Sequence, residues 1–367
     1  MGERNSYDHA AQTWRRRRVT LVCVLVCLMA DVAVAQDAYA DIVREYLTGD
    51  ADAAILKIRR IGSQELVHAV ESRTLLGTPR MLAAAAALHT EAALREWSNG
   101  RIDFAQLGVA AAMIELGKEN QLARGESRAE ARSRRSNPVV GVLAGLQPVP
   151  DDFRLLWYET IISALQYGAY PEQAALYASH ALLLYPQNAD VQLLAGIGQE
   201  MRIAPRFAGR NLGGREDALN EAEAHFRGAF AAQPDRLEAR LRLGRVLELR
   251  GRFAEARTVL SPLGAAADDR IAYLGQLFLG AADEALQQAD AALIAYDAAA
   301  ARLPAAQTAR LAASSVRYRR GDRQTAADAM PAATGEANAL EPWWTYTFGE
   351  YWRIDLLLEA LRRETRR

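Results

Sequence analysis

Apolar residues recur along most of this chain with the three- and four-residue spacing of amphipathic helices. Stretches such as "DAYADIVREYLTGD" and "RMLAAAAALHTEAALREW" show this spacing, whereas the two-residue alternation of β-strands is absent from the sequence. Alanine, leucine, glutamate and arginine dominate, and all four are good helix formers. The pattern therefore predicts an all-α protein.

The N-terminal helical region, residues 36–118, is predicted to contain four or five helices. Thr78 and Pro79 open the longest of them, with threonine as N-cap and proline at the first helical position. Asp103 caps the next helix, which Gly117 ends. Whether this region holds degenerate repeats stays open, because its helices give no common phase.

Residues 119–150 lose the helical spacing and are predicted to be a linker. Arginines alternate there with glutamates and serines, and they include Arg128, Arg134 and Arg135. A solvated linker explains this composition, and a basic docking strip is the alternative. The helical pattern resumes at Asp151 and continues to the C-terminus.

A 34-residue unit is visible when Tyr273 is numbered as its first residue. Positions 7, 8, 20, 24, 27 and 32 of this unit are then Leu279, Gly280, Ala292, Tyr296, Ala299 and Pro304. Small residues at a helix crossing let two backbones approach to about 8–10 Å, and an aromatic ring fills the space beside them. The proline stops the second helix. Such a unit is a helical hairpin.

The same positions recur in units that start at Leu155, Leu237, Gln307 and Glu341. Gly244, Ala256 and Leu260 fit the unit that starts at Leu237. Gly251 and Gly321 fall at turns, and Trp344 falls at the core position 4 of the unit that starts at Glu341. An interrupted unit lies between Leu155 and Leu237, with Gly196 in its first helix and Phe226 in its second. Its extra residues predict an exposed loop near 203–216. Pro262 and Pro331 are expected to interrupt two second helices.

This spacing resembles the tetratricopeptide repeat, and "AALHTEAAL" and "EPWWTY" resemble segments of exported bacterial repeat proteins. The resemblance covers residues 151–367 and implies a right-handed superhelix, an α-solenoid, that ends in a capping helix. It also implies that an extended peptide or protein partner of mixed charge binds in the groove lined by first helices. The implied groove residues are Glu159, Gln166, Tyr167, Glu200, Arg245, Glu248, Glu284, Tyr318 and Arg319. The alternative is that these are merely solvated helix positions.

The N-terminus is predicted to be a signal peptide of residues 1–35. Four arginines, Arg15 to Arg18, precede an apolar run of 12 residues that is broken only by Thr20, and Ala33 and Ala35 occupy the small-residue positions of a cleavage site. The protein is therefore expected to be exported, as a periplasmic or secreted protein without stable membrane insertion after cleavage. The alternative is an uncleaved N-terminal membrane anchor, which would suit an assembly factor.

Candidate chemistry is sparse in the remaining 332 residues. Both cysteines lie before Ala35, and the four later histidines are far apart and outside any metal-binding pattern. No nucleophile or phosphate-binding motif is present, so we predict no catalytic, cofactor or metal residue and a protein that is not an enzyme. Residues 36–367 contain 39 basic and 42 acidic side chains, which does not indicate a nucleic-acid partner.

Two alternatives from other functional classes remain. The first is a carbohydrate-active enzyme on an α/α toroid, with Trp157, Trp343, Trp344 and Trp352 as sugar platforms beside paired carboxylates. Trp344 falls on a core position of the repeat, however, and packing alone would explain it. The second is a helical lipoprotein of the outer membrane, which the lack of a small residue before Cys27 disfavours.

Overall fold

The structure, a computed structural model, describes residues 39–60, 78–122, 124–125, 128, 132, 147–204, 214–328 and 341–366. These residues form helices and turns without a β-strand. Among them, no helix is both long and apolar enough to cross a bilayer. The predicted signal peptide lies outside the described residues, as do Pro331 and most of the predicted linker. The predicted domain boundaries stay a prediction.

The chain divides into two compact units. Of the described residues, those from 39 to 96, from 101 to 157 and from 358 to 366 belong to the first unit, and those at 97–100 and from 158 to 357 belong to the second. The helices, in chain order, are α1 (39–48), α2 (Ala51–Ile58), α3 (Pro79–Ala93), α4 (Phe104–Ile114), α5 (Glu119–Leu122), α6 (Asp151–Tyr167), α7 (Pro171–Leu184), α8 (Ala189–Ile203), α9 (Arg215–Ala232), α10 (Leu237–Leu249), α11 (Phe253–Leu260), α12 (Asp269–Ala285), α13 (Ala289–Arg302), α14 (Thr308–Arg319), α15 (Arg323–Asp328), α16 (Pro342–Thr345) and α17 (Ile354–Arg366).

In the first unit, α3 packs against α2 and α4. The predicted caps form here, because Thr78 Oγ1 accepts from the Met81 amide at 3.2 Å and Asp103 accepts from two amides of α4. Thr90 is completely buried and its Oγ1 accepts a hydrogen bond from the Trp157 indole at 2.7 Å. The polar groups of this alanine-rich core are therefore paired, as burial requires.

In the second unit, each helix from α7 to α14 packs against the next one along the chain. The contacts join α8 with α9, α10 with α11, α12 with α13 and α14 with α15, and they continue between these pairs from α7 to α14. Helices α10 and α12, which begin successive hairpins, also touch. One apolar core runs through these hairpins, from Leu193 to Val316. The predicted all-α stack of helical hairpins is confirmed.

Three glycines at position 8 lie against a bulky residue at position 24. A Cβ added to Gly196 would be 2.4 Å from the Phe226 ring, and one added to Gly244 would be 2.4 Å from Leu260. A Cβ added to Gly280 would be 2.5 Å from the Tyr296 ring. These distances are far shorter than van der Waals contact, so only glycine allows the two helices of each hairpin to come this close.

The turn inside each regular hairpin falls at position 15 and uses a left-handed backbone. Gly251 has a φ of 73° and Gly321 a φ of 89°, as their predicted turn positions require. Ala169 and Gln287 occupy the same position in their units and also have positive φ values, of 64° and 61°. The conformation therefore belongs to the hairpin geometry and is imposed even where the residue is not glycine.

The predicted unit that starts at Glu341 is wrong. Residues 342–353 form the four-residue helix α16 and two three-residue 3₁₀ turns, instead of a first helix. Trp344, expected in the core, is 55% exposed. Gly349, with a φ of 64°, breaks the helical path in the middle of this stretch. A regular helix returns only with α17, the predicted capping helix.

Two predicted interruptions can be compared with the described helices. After α11 ends at Leu260, a 3₁₀ turn runs through Ser261–Ala265, which contains Pro262. That second helix is therefore shortened as predicted. Helix α8 ends at Ile203 and α9 begins at Arg215, so the break in the interrupted unit lies where the repeat spacing predicts it. The loop itself, residues 205–213, is outside the described residues.

Candidate functional site

The predicted groove residues all lie on the first helices of hairpins in the second unit. They are Glu159, Gln166 and Tyr167 on α6, Glu200 on α8, Arg245 and Glu248 on α10, Glu284 on α12, and Tyr318 and Arg319 on α14. We call the side of the helices that carries them the first-helix face. Residues 341–353, the C-terminal segment, lie on a large part of this face.

Aromatic rings hold the C-terminal segment at α6. The Tyr167 ring centroid lies 5.5 Å from that of Phe348 and 5.1 Å from that of Tyr351. Trp97 contacts the same ring edge-on at 5.3 Å, and the Tyr167 hydroxyl donates to the Ser98 carbonyl at 3.3 Å. Tyr167, predicted to offer flat apolar area to a partner, thus offers it to the protein's own chain.

Arg242 is the central polar anchor of the face. It is completely buried on α10, and its guanidinium donates to Glu238 at 2.7 Å, to Glu200 at 2.5 Å and to the Tyr346 carbonyl at 2.7 Å. The guanidinium carbon also lies 4.3 Å from the Tyr346 ring centroid. The Tyr346 hydroxyl donates to Glu200 at 2.9 Å. A single buried arginine therefore joins α8, α10 and the C-terminal segment.

Repeat positions did not identify Arg242 as a site residue. The only sequence signal is the spacing from Glu238 to Arg242, which places opposite charges on one helix side. The same spacing is common on solvated faces, so it does not reveal burial. Burial raises the pKa of the Glu200 carboxyl, and the Arg242 charge opposes this rise.

Arg245 lies against two aromatic rings that also contact each other. Its guanidinium carbon lies 5.1 Å from the Phe278 ring centroid and 5.0 Å from that of Trp343, and Arg245 donates to Glu248 at 2.6 Å. The second Glu248 oxygen, Oε2, is buried without a hydrogen-bond partner. Burial raises the pKa of Glu248, against the influence of Arg245. Beside Arg245, a cavity of about 220 Å³ is lined mainly by Glu200, Met201, Ile203, Arg245, Trp343 and Tyr346.

Charged groups gather where α6, α8 and α10 meet the end of the C-terminal segment. Arg236 pairs with Asp190 at 2.9 Å and with Glu350, which Arg353 also contacts at 3.0 Å. The charges of Asp190, Arg236 and Arg353 act on the Glu159 carboxyl. Burial raises its pKa to about 7, repulsion from Asp190 adds to the rise, and Arg353 and Arg236 oppose it. Neither Glu159 nor Asp190 lines the cavity beside Arg245.

The face continues past the C-terminal segment toward α14. Arg319 donates to Glu284 at 2.6 Å, and Glu284 accepts from the Tyr296 hydroxyl at 3.2 Å. Tyr318 is 59% exposed and lines a shallow cavity between α14 and α15 with Arg323. The structure thus brings Glu284 and Arg319 together, while Tyr318 stays open to solvent.

The alternative of a carbohydrate-active enzyme requires tryptophan side chains that can serve as sugar platforms. Trp157 is completely buried and donates to Thr90, and Trp343 stacks on Tyr346 with centroids 5.5 Å apart. Trp344 is exposed, whereas the guanidinium carbon of Arg270 lies 4.2 Å from the ring centroid of Trp352. Across the described part of the chain, no group of three or more histidine, cysteine, aspartate or glutamate side chains could hold a metal ion. The prediction that the protein is not an enzyme stays a prediction.

A comparison with protein families identifies the hairpins. Residues 215–277 match the sequence model of the tetratricopeptide repeat. This part of the chain therefore contains tetratricopeptide repeats. The matched residues comprise α9, α10, α11 and the first half of α12, so the match includes the unit that starts at Leu237. Stacked repeats of this kind form extended surfaces for binding other proteins.

Solved structures of the protein MamA are similar in fold to part of this chain. "MamA 41-end from Desulfovibrio magneticus RS-1" is 20% identical, with a TM-score of 0.41, over 50% of this chain and 94% of that one. "MamA MSR-1 C2" is 16% identical, with a TM-score of 0.39, over 50% of this chain and 95% of that one. No function is carried over from so distant a likeness. No curated protein matches the chain.

Proposed function

We propose that the protein is an exported interaction scaffold whose tetratricopeptide repeats bind a peptide or protein partner on the first-helix face. One observation supports this most directly. That face already holds a 13-residue segment, 341–353, through stacked rings, buried hydrogen bonds and ion pairs. A surface that holds one short segment in this way has the chemistry to hold another.

The partner-facing groups combine charge with flat apolar area. Arg245 and Glu200 supply directional polar contacts, while Tyr167 and Phe278 supply ring faces. This mixture favours an extended peptide of mixed character over a simple acidic tail, because Arg242, Arg245 and Arg319 are each already paired with a carboxylate. A partner-binding role requires no catalytic residue on the face.

Site-specific photocross-linking tests the binding face. A photoreactive phenylalanine analogue replaces Tyr318, which is exposed on the first-helix face, in protein expressed in its native host. Replacing Ile294, which is 73% exposed on the second helix α13, gives the matched control. We expect a discrete cross-linked partner from position 318 and none from position 294. Cross-links from position 294 alone would place binding on the second helices and contradict the proposal.

Export is tested by the intact mass of the protein recovered from its native host. Cleavage after Ala35 yields a chain that begins at Gln36, released without membrane extraction. A membrane-bound product that retains Met1 would instead establish the anchored form.

A further inference from the structure

We propose that the C-terminal segment is a built-in ligand of the first-helix face, and that the partner is a polypeptide segment with aromatic and acidic side chains that displaces it. The inference deepens the proposed function and rests on it. It follows from how the segment is held, from the path it takes and from what it leaves unfilled.

The segment has little structure of its own. It consists of the four-residue helix α16 and two 3₁₀ turns, with Gly349 in a left-handed conformation between them. Apart from the cap that Glu341 gives α16 and the stacking of Trp343 on Tyr346, its buried side chains bond to the face. Glu341, which is 2% exposed, accepts from the Tyr273 hydroxyl at 2.9 Å and from the amides of Gln307 and Thr308 at 2.9 and 3.0 Å. Such a segment depends on the face for its conformation, as a bound peptide does.

The path of the segment crosses successive first helices in order. Glu341 bonds to α12 and to the start of α14, and Trp343 packs against α10 and α12. Tyr346 bonds to α8 and α10. A Cβ on Gly349 would be 3.5 Å from Gln166 on α6 and from Ile197 on α8. The segment therefore runs antiparallel to the order of the repeats, as an extended ligand along a solenoid would.

The segment leaves a cavity and two unpaired buried oxygens on the face. The cavity of about 220 Å³ remains between Trp343, Tyr346 and the walls of α8 and α10. Two buried acceptors at predicted groove positions, Gln166 Oε1 and Glu248 Oε2, have no hydrogen-bond partner. Both features are unfavourable, because unfilled space and unpaired buried oxygens cost stability. A partner that fills the cavity and donates N–H groups to these oxygens gains contacts that the segment does not make.

The side chains of the C-terminal segment indicate which side chains a partner needs in order to displace it. An aromatic side chain reproduces the contacts of Trp343 with Arg245 and Phe278, and a carboxylate reproduces the pairing of Glu350 with Arg236. Because the segment is tethered, it acts at an effective concentration of about millimolar. The partner must therefore exceed the affinity of the free segment sequence, which the unfilled contacts allow.

Hydrogen exchange of the wild-type protein gives the first test. We expect the amides of residues 342–353 to exchange through local opening, at least about tenfold faster than those of α8 and α10, with no unfolding of those helices. Exchange of the segment only together with α8 and α10 would overturn the proposal, since the segment would then be a fixed part of the fold. This measurement requires no variant.

A peptide supplied in trans gives the second test. The probe is a fluorescein-labelled synthetic peptide with the sequence of residues 341–354. The variant Tyr346→Ala/Glu350→Ala weakens the tethered segment without changing the face. We expect the probe to bind this variant at least about 100-fold more tightly than the wild-type protein. Adding Tyr167→Ala, on the face, should weaken binding to the variant.

Equal binding of the probe to the folded variant and the wild-type protein, or no binding to either, would overturn the inference. If the variant does not fold, the exchange experiment decides. The photocross-link at position 318 lies beyond the segment and separates the two proposals. A cross-linked partner combined with negative peptide results would retain the scaffold function and remove only the built-in ligand.

Discussion

The glycine at position 8 of three hairpins allows a prediction with an internal control. Gly196 and Gly198 lie two residues apart on α8, both buried. Replacing either with alanine removes the helix penalty of glycine, which is worth about 1 kcal/mol. A Cβ at 198 would meet nothing closer than Gln166 Nε2, at 3.9 Å. We therefore expect Gly198→Ala to raise the free energy of unfolding by up to about 1 kcal/mol.

A Cβ at residue 196 would lie in a much more tightly packed environment than one at residue 198. This Cβ would be 2.4 Å, 2.7 Å and 2.9 Å from three ring atoms of Phe226, whose side chain is completely buried and has little room to move. Overpacking of this kind costs about 1–3 kcal/mol or more, which exceeds the helix-propensity gain. We expect Gly196→Ala to be less stable than Gly198→Ala by about 2 kcal/mol or more.

Urea denaturation followed by circular dichroism measures both variants, provided that the slope of the transition is unchanged. A double-mutant cycle then isolates the clash. Phe226→Ala alone should cost about 3–5 kcal/mol, and on that background Gly196→Ala should no longer be destabilising. Equal stability of the Gly196 and Gly198 variants, or additive effects in the cycle, would refute the view that close helix approach requires glycine here.

Three further predictions concern single side chains. Gln287→Gly relieves a left-handed backbone at an exposed turn residue and should raise the free energy of unfolding by about 1 kcal/mol in urea. Glu159, with its pKa raised to about 7 from 4.5, makes the fold less stable as pH rises between these values. Glu159→Gln should therefore stabilise the protein at pH 8 by up to about 3 kcal/mol, with no effect below pH 4, in thermal melts at both pH values. Thr90→Val removes the acceptor of the Trp157 indole and should cost about 1–3 kcal/mol in urea, whereas Thr90→Ser should cost less.

The hairpins could be predicted from sequence because their geometry depends on local spacing. Gly244 and Gly280 each lie 16 positions before the bulky residue that they accommodate, Leu260 and Tyr296 respectively. The turn at position 15 is fixed by the same two helices. A constraint that acts within one unit repeats with the unit, and so it is visible as a period.

The C-terminal segment could not be predicted from spacing, since Trp344 and Tyr351 match the repeat and yet the segment is not a hairpin helix. Its conformation is decided by Arg242 and Glu200, which lie about 100 to 150 residues earlier in the chain. A period carries no information about a contact that occurs only once. The burial of Arg242 could not be predicted either, because its contacts with the C-terminal segment also occur only once.

The pairing of charges within the first-helix face determines what kind of recognition it can perform. Arg245 is paired with Glu248, Arg319 with Glu284, and Arg242 with two glutamates. Paired charges produce little long-range field, so the face attracts a partner weakly from a distance and acts mainly on contact. Specificity must then come from ring stacking, buried hydrogen bonds and the fit of the cavity beside Trp343. The C-terminal segment uses the first two and leaves the third unfilled.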